Sequence, residues 1–226
     1  MSSARDDVLG NIRRSLGVTG REDARRKAVA ERIELAPTGV IPARGRLPPG
    51  ERVELFVAQA QGALATVARV RGADDVPRAV AEFLRDHNLP AAIRRGNDPR
   101  LSAMPWDGTA LEVSRGASEG RDLNAVSHAV GGVAETGTLV LLSGPDNPST
   151  LNFLPDNHVV VVDAADIVGD YEAVWERLRE TFGRGAMPRT VNFITGPSRS
   201  GDIEQTLLLG AHGPRRLHVV VVGEAG

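Results

Sequence analysis

Two valine-rich segments limit most strongly what this chain can fold into. One comprises residues 159–162, all of them valine, and the other spans residues 217–222. A short apolar run between polar residues is typical of a strand buried on both faces, and such strands belong to sheets that carry helices on either side. The two segments therefore predict an α/β protein with a mixed or largely parallel sheet.

Segments with helical spacing alternate with these strands and predict the layers that flank the sheet. Apolar residues at helical intervals indicate helices over residues 51–70 and 76–87, and Asp170 is placed to cap a third over residues 171–182. A last short helix is predicted from Asp202 to residue 209. Further strands are predicted over residues 91–94, 111–113, 132–134, 139–143 and 190–194.

The first fifty residues differ in composition from the rest. Ser3 is placed to cap a helix with an apolar stripe of Val8, Ile12 and Leu16, and residues 21–35 are charged in the manner of a solvated helix. Seven prolines and glycines then follow between residues 37 and 50. We therefore predict an N-terminal helical arm and linker over residues 1–50, followed by an α/β domain over residues 51–226.

Composition excludes several classes of function. The 226 residues carry a net charge of −2, which gives no overall field to attract nucleic acid or an anionic membrane. Without cysteine, the chain can supply no thiolate ligands for an iron–sulfur cluster, and its five histidines form no pair at metal-binding spacing. It has no dinucleotide fingerprint and no P-loop, so we expect no cofactor in this chain. A polar N-terminus and the lack of a long apolar run predict a cytoplasmic protein.

The segment from residue 195 to residue 202, called here the Arg199 segment, is one candidate site. It reads Thr-Gly-Pro-Ser-Arg-Ser-Gly-Asp and lies between a predicted strand and a predicted helix. Its backbone N–H groups, the hydroxyls of Ser198 and Ser200 and the guanidinium of Arg199 could converge on an anion at the carboxyl edge of the sheet. A capped loop with a surface arginine is the alternative interpretation.

The segment Glu-Thr-Gly-Thr at residues 135–138, called here the Glu135 turn, is the second candidate. Glu135 could serve as a base, an acid or a nucleophile there, although an ordinary hairpin turn explains the same residues. His158 and His212 lie at the ends of predicted elements, from which each could reach a common cleft. His128 is interpreted as a histidine whose hydrogen bonds are satisfied within the fold.

Four segments taken together resemble the LUD domain family, specifically its lactate utilization protein C group. They are the Glu135 turn and residues 154–158, 196–204 and 212–214, and their order and spacing match the family. The resemblance covers residues 51–222. It implies a fold similar to that of sugar-phosphate isomerases and coenzyme A transferases.

The resemblance also implies a role in the oxidation of L-lactate to pyruvate, in a system whose partner proteins carry the iron–sulfur clusters. It implies a pocket between two of these motifs. Our hypothesis is that Arg199 and the adjacent N–H groups bind an anionic group there, such as the carboxylate of lactate, while Glu135 faces the reacting or recognised end. One wall would consist of Glu135, Thr136, Gly137 and Thr138, and the other of Ser198, Arg199, Ser200, Asp202 and Glu204. Ser200-Gly201 stand where the family has Thr-Ala, which would alter the hydroxyl contact.

Three functions are therefore open on the sequence. The first is a subunit of an iron–sulfur L-lactate dehydrogenase complex, active only with its partners. The second is a self-sufficient coenzyme A transferase or sugar-phosphate isomerase, with Glu135 as nucleophile or base. The third is a sensor without catalytic activity, in which an anion bound at the site reorders the arm.

Overall fold

The computed structural model describes residues 3–201 and 207–224 of the chain. Its helices are α1 (Ala4–Leu16), α2 (Asp23–Leu35), α3 (Pro49–Gly62), α4 (Val76–Asp86), α5 (Pro99–Ala103), α6 (Thr150–Phe153) and α7 (Tyr171–Phe182). Its strands are β1 (Thr66–Val70), β2 (Ala92–Arg95), β3 (Glu112–Arg115), β4 (Asn124–His128), β5 (Gly131–Val133), β6 (Thr138–Leu142), β7 (Asn157–Asp163), β8 (Ile167–Val168), β9 (Val191–Ile194), β10 (Arg199–Gly201), β11 (Leu207–Leu209) and β12 (Arg216–Val222).

The core of the protein is a six-stranded sheet in the order β1-β12-β7-β4-β2-β3, in which all neighbouring strands are parallel. The two valine-rich segments are the adjacent strands β7 and β12, with Val160 paired to Val219 and Val161 to Val220. Alternate valines face opposite sides, so Val160 packs with α3 and Val161 with α4. The predicted α/β class and the burial of these strands on both faces are confirmed.

A second sheet of four strands, in the order β8-β5-β6-β9, is built from the chain between β4 and β12. Within it β6 is antiparallel to β5 and to β9, whereas β5 and β8 are parallel. Val174 and Leu178 of α7 cover one face of this sheet. Phe56 of α3 packs in the core to which both sheets contribute. The predicted cap of α7 is confirmed, because the Asp170 carboxylate accepts a hydrogen bond from the Ala173 N–H.

Two predicted helices are wrong in part, and one strand was not predicted. The helix predicted over residues 51–70 ends at Gly62, because Leu64 adopts a left-handed backbone conformation (φ 72°) and the chain then pairs with β12 as β1. The strand β4 was not predicted, because Asn124, Ser127 and His128 interrupt its apolar pattern. Leu207–Leu209 form a strand rather than the end of a helix, while Asp202, the predicted start of that helix, lies outside the described residues.

The arm consists of α1 and α2, neither of which buries a residue. The predicted cap at Ser3 is confirmed, because Ser3 and Asp6 exchange hydrogen bonds at the start of α1. The side chains of the α1 stripe are all exposed to solvent, namely those of Val8, Ile12 and Leu16. No helix in residues 3–201 or 207–224 combines the length and the apolarity needed to cross a bilayer.

The linker after the arm rests on the α/β domain at one close backbone contact. Gly45 is buried against Gly169, which lies between β8 and α7, and a Cβ added to Gly169 would overlap the carbonyl oxygen of Gly45. Arg52 fixes the end of the linker, because its guanidinium donates to the carbonyl oxygens of Leu47 and Ile167.

We expect Gly169→Ala to detach the linker, because the new methyl group cannot occupy the position of the Gly45 carbonyl. Limited trypsin digestion should then cut several-fold faster after Arg44 and Arg46, which flank Gly45 in the sequence. The matched control is Gly144→Ala, since a Cβ there meets no atom within 4 Å. Equal cutting rates in the two variants would contradict the expectation.

Candidate functional site

A cavity of about 300 Å³ brings together four of the residues predicted for the site, namely His158, Ser198, Arg199 and His212. His158 is the second residue of β7, and Leu217, another wall residue, is the second residue of β12. The cavity therefore lies at the amino-terminal edge of the six-stranded sheet. The predicted position at the carboxyl edge of a wound sheet is wrong, because β9, which leads into the Arg199 segment, belongs to the smaller mixed sheet.

Backbone contacts hold the Arg199 segment in place. Gly196 has a φ of 71° and lies so close to the end of α3 that a Cβ would overlap the carbonyl oxygen of Ala63. The Ser198 N–H donates to the Pro214 carbonyl (2.8 Å), and the Ser198 carbonyl accepts from the Gly210 N–H (2.9 Å). Arg199 then begins the strand β10, which pairs with β11.

This geometry changes the interpretation of the segment. The Ser198 N–H is occupied by Pro214 and is not available to an anion. Ser200 lies opposite Leu208 in the β10–β11 pair and is not among the residues that line the cavity. Asp202 and Glu204 lie outside the described residues. Of the groups that the sequence analysis proposes for an anion, the side chains of Ser198 and Arg199 line the cavity.

The charge of the cavity wall favours an anionic ligand. Arg199 and His212 are both exposed there, and the lining residues that the structure describes include no aspartate or glutamate. Phe153, Phe193 and Pro214 supply apolar surface around them. A cavity of this size with a few polar groups on an apolar wall is typical of sites for small molecules.

A chain of three buried polar side chains belongs to the same region. Nε2 of His158 lies 3.0 Å from the Ser127 hydroxyl, and that oxygen lies 3.2 Å from Oδ1 of Asn152. Complete burial lowers the pKa of His158 to about 3, so the imidazole is neutral at physiological pH. His158 and Asn152 both line the cavity, whereas Ser127 connects them from within β4.

The Glu135 turn lies beside this cavity without lining it. Glu135 is only 6% exposed, and its N–H donates to the Gly169 carbonyl (3.1 Å). Gly137 packs on the backbone of α3 at Gln59 and Ala60. None of the residues Glu135, Thr136, Gly137 and Thr138 is among the residues that line the cavity. The Glu135 turn is thus a neighbour of the cavity and does not form one of its described walls.

A cluster of hydroxyl groups connects the turn with the Arg199 segment. The buried Thr138 hydroxyl lies 2.6 Å from that of Thr195, 2.7 Å from that of Thr136 and 2.9 Å from the Tyr171 phenol oxygen. One hydroxyl can donate one hydrogen bond and accept two, so these three contacts saturate Thr138. The two segments therefore meet through a structural contact between threonines, and not across a shared cavity as the sequence analysis expects.

The carboxyl edge of the six-stranded sheet carries a charged cluster that the sequence analysis did not identify. The Arg100 guanidinium donates to both carboxylate oxygens of Asp98 and to the Ala129 carbonyl oxygen. Nε2 of His128 lies 3.6 Å from Oδ2 of Asp163. Burial alone would raise the pKa of Asp98, but hydrogen bonds from Arg100 and its charge outweigh burial and lower that pKa. Burial, and next the charge of Arg100, lower the pKa of His128.

These contacts fasten the ends of β2, β4 and β7 to one another. The sequence signal that could have shown the cluster is Asp98-Pro99-Arg100, a capping residue followed by a proline at the start of α5. Across residues 3–201 and 207–224, no group of three or more His, Asp or Glu side chains is placed to hold a metal ion.

The family model for the LUD domain matches residues 53–222, three quarters of the chain. The chain belongs to the LUD domain family. This confirms the resemblance on which the site residues were assigned. A crystal structure of a DUF162 family protein from Deinococcus radiodurans is similar in fold, with a TM-score of 0.56 and 27% sequence identity, and covers 78% of this chain and 99% of that one.

Three relatives named lactate utilization protein C match between 56% and 75% of this chain. The protein from Exiguobacterium is 33% identical over 160 residues, which is 66% of this chain and 67% of the relative. The protein from Geobacillus thermodenitrificans is also 33% identical, over 56% of this chain, and the match spans 60% of that relative's length. The protein from Anoxybacillus flavithermus is 29% identical over 75% of this chain and 73% of its own length.

Two buried histidines should make the stability of this LUD domain protein depend on pH. Burial lowers the pKa of His158 from 6.5 to about 3, and burial with the charge of His87 lowers that of His218 to about 4. Between pH 7 and pH 5 the unfolded chain therefore binds protons that the folded chain does not. We expect the free energy of unfolding to fall by about 2 kcal/mol per histidine over this range, as measured by chemical denaturation.

The variant His218→Leu should reduce this pH dependence by about 2 kcal/mol, because one buried imidazole is removed while His158 and His128 remain. The control is His212→Asn, since the His212 side chain is exposed and its removal should leave the dependence unchanged. A free energy of unfolding that stays constant between pH 7 and pH 5 would show that these imidazoles are not held neutral by burial.

Proposed function

We propose that this protein is a component of an L-lactate utilization system and binds a small carboxylate anion in the cavity beside Arg199. In this proposal L-lactate is oxidised to pyruvate together with partner proteins that carry the iron–sulfur clusters. The observation that carries the binding step is Arg199, an exposed guanidinium in a cavity whose described lining contains no carboxylate.

The names of the relatives support the proposed role in a lactate utilization system. Several proteins that are about 30% identical to it are named lactate utilization protein C. Their matches cover between 60% and 73% of the lengths of these three relatives. Lactate is therefore the first ligand to test.

The chemistry of the cavity suits a small carboxylic acid such as lactate. Arginine presents a planar pair of donors that matches a carboxylate, and the hydroxyl of Ser198 can add a further hydrogen bond. The apolar side chains around them would accommodate a methyl group. His212, which is exposed on the same wall, adds a further polar group near the entrance.

The proposal requires partner proteins because this sequence supplies no ligands for an iron–sulfur cluster of the usual kind. Oxidation of lactate releases two electrons, and the sequence has no cysteine with which to bind an iron–sulfur cluster of the usual kind. The stripe of Val8, Ile12 and Leu16 on α1 is exposed and could pack against a partner protein. In our proposal the clusters belong to partners that dock on this stripe.

The alternative function, a coenzyme A transferase or sugar-phosphate isomerase, requires Glu135 to face its substrate. Glu135 is buried and is not among the residues that line the cavity. The geometry therefore favours ligand binding at Arg199 over nucleophilic chemistry at Glu135, and we propose that the Glu135 turn positions the Arg199 segment through Thr138 and Thr195.

We expect Arg199→Ala to weaken the binding of L-lactate by about tenfold or more, because the hydrogen bonds to the carboxylate are charge-assisted. Isothermal titration calorimetry on the full chain measures the change. The control is Arg215→Ala, which removes the same charge from a neighbouring exposed residue outside the lining of this cavity. If both variants bind lactate as the unmodified protein does, Arg199 is not the anion-binding group.

A second variant tests the partners separately. Replacing Val8, Ile12 and Leu16 together by serine should abolish co-purification with iron–sulfur proteins from cells grown on lactate, while lactate binding stays unchanged. Val29→Ser with Ile33→Ser provides the matched control, because these residues are equally exposed but lie on α2. Undiminished co-purification of the α1 variant would exclude this stripe as the docking surface.

A further inference from the structure

Two buried side chains in the cavity wall lack one hydrogen-bond partner each. Nδ1 of His158 and Nδ2 of Asn152 have no partner among residues 3–201 and 207–224, although both residues are almost completely buried. Unpartnered buried groups are rare in native proteins because each loses its hydrogen bonds to water. Both residues line the cavity, so a ligand is the natural source of the missing partners.

The Ser127 hydroxyl determines the chemistry that these two groups offer. It lies between His158 and Asn152 and has a single proton to donate. If it donates to Oδ1 of Asn152, it accepts from Nε2–H of His158, which leaves Nδ1 as an acceptor and the amide nitrogen as a donor. If the amide is turned over, Ser127 donates to His158, which leaves Nδ1–H as a donor and Oδ1 as an acceptor.

Either arrangement leaves one donor and one acceptor of this pair unpartnered beside the cavity. Because the imidazole is neutral, it cannot donate from both nitrogens at once. A ligand that satisfies both positions must therefore carry a donor as well as an acceptor. Arg199 adds a requirement for negative charge.

We infer that His158 and Asn152 select a 2-hydroxy acid over the corresponding 2-keto acid in this cavity. The inference rests on the proposed function and deepens it, because it states which form of the substrate this chain binds. The hydroxyl of the ligand donates to whichever group of the pair is the acceptor, and its carboxylate accepts from the other and from Arg199.

The keto acid cannot make both contacts. Its carbonyl oxygen only accepts, so the acceptor of the pair would stay buried without a partner and would face another acceptor. A site built to bind a hydroxyl discriminates strongly against analogues that lack one, because its own polar group is left unpaired. The same reasoning applies to a carboxylic acid with no substituent at the second carbon.

The test is isothermal titration calorimetry of the full chain with L-lactate, pyruvate and propionate. We expect L-lactate to bind at least about tenfold more tightly than either of the other two acids. Asn152→Leu and His158→Leu replace each polar group by an apolar side chain of similar size. Both variants should reduce the preference for L-lactate to less than about threefold.

The matched control is His218→Leu. His218 is also a buried histidine with an unpartnered nitrogen, but it does not line this cavity, so its removal should leave the preference unchanged. Asn152→Leu decides the matter if His158→Leu does not fold. Equal binding of pyruvate and L-lactate by the unmodified protein would overturn the inference and leave the proposed function standing. Binding of none of the three acids would overturn both.

Discussion

The fold depends on the burial of β7 and β12 from both sides. These two strands lie at the centre of the parallel sheet, with valine paired to valine at successive positions. Helix α3 covers one face of the pair and α4 the other, and each helix contributes a phenylalanine, Phe56 and Phe83. Because the strands have no solvated face, α3 and α4 must cover them and the neighbouring strands must extend them.

Polar residues in these buried strands mark the two edges of the sheet. At the amino edge, Asn157 donates to Asn124, and Asn124 in turn donates to the carbonyl oxygens of Pro90 and Ala92. His158 follows directly and lines the cavity. At the carboxyl edge, His128, Asp163 and Arg100 join strand ends to one another. The edge at which α/β sheets usually bind ligands is thus occupied by the charges of this protein itself.

The sequence predicted most of the architecture, because valine runs, helical spacing and a capping aspartate are local signals. It failed at β4, where Asn124 and Ser127 are buried because they hydrogen-bond to groups far away in the chain. It failed again at β10 and β11, because apolar residues such as Leu207 and Leu209 fit a strand as well as a helix.

The candidate site was predictable in its residues but not in its arrangement. The order of the motifs showed that Arg199, Ser198, His158 and His212 belong together, and the cavity contains all four. Sequence could not show that the Glu135 turn touches this group through a threonine contact without lining the cavity, since that depends on how α3 packs against Gly137 and Gly196. The sequence offers residues 152–155 only as a loop that lines or braces the site, with turn chemistry as an equal explanation, because an isolated asparagine gives no pattern.

The close approach of Gly45 to Gly169 constrains how this chain can diverge. Gly169 is held at this point by its carbonyl oxygen, which accepts the hydrogen bond from the Glu135 N–H. Since an added Cβ on Gly169 would overlap a backbone carbonyl, no change of side chain elsewhere can compensate for a larger residue at this position. A descendant that lost Gly169 would need a new route for its linker across the surface, and its arm would then project from a different point relative to the cavity.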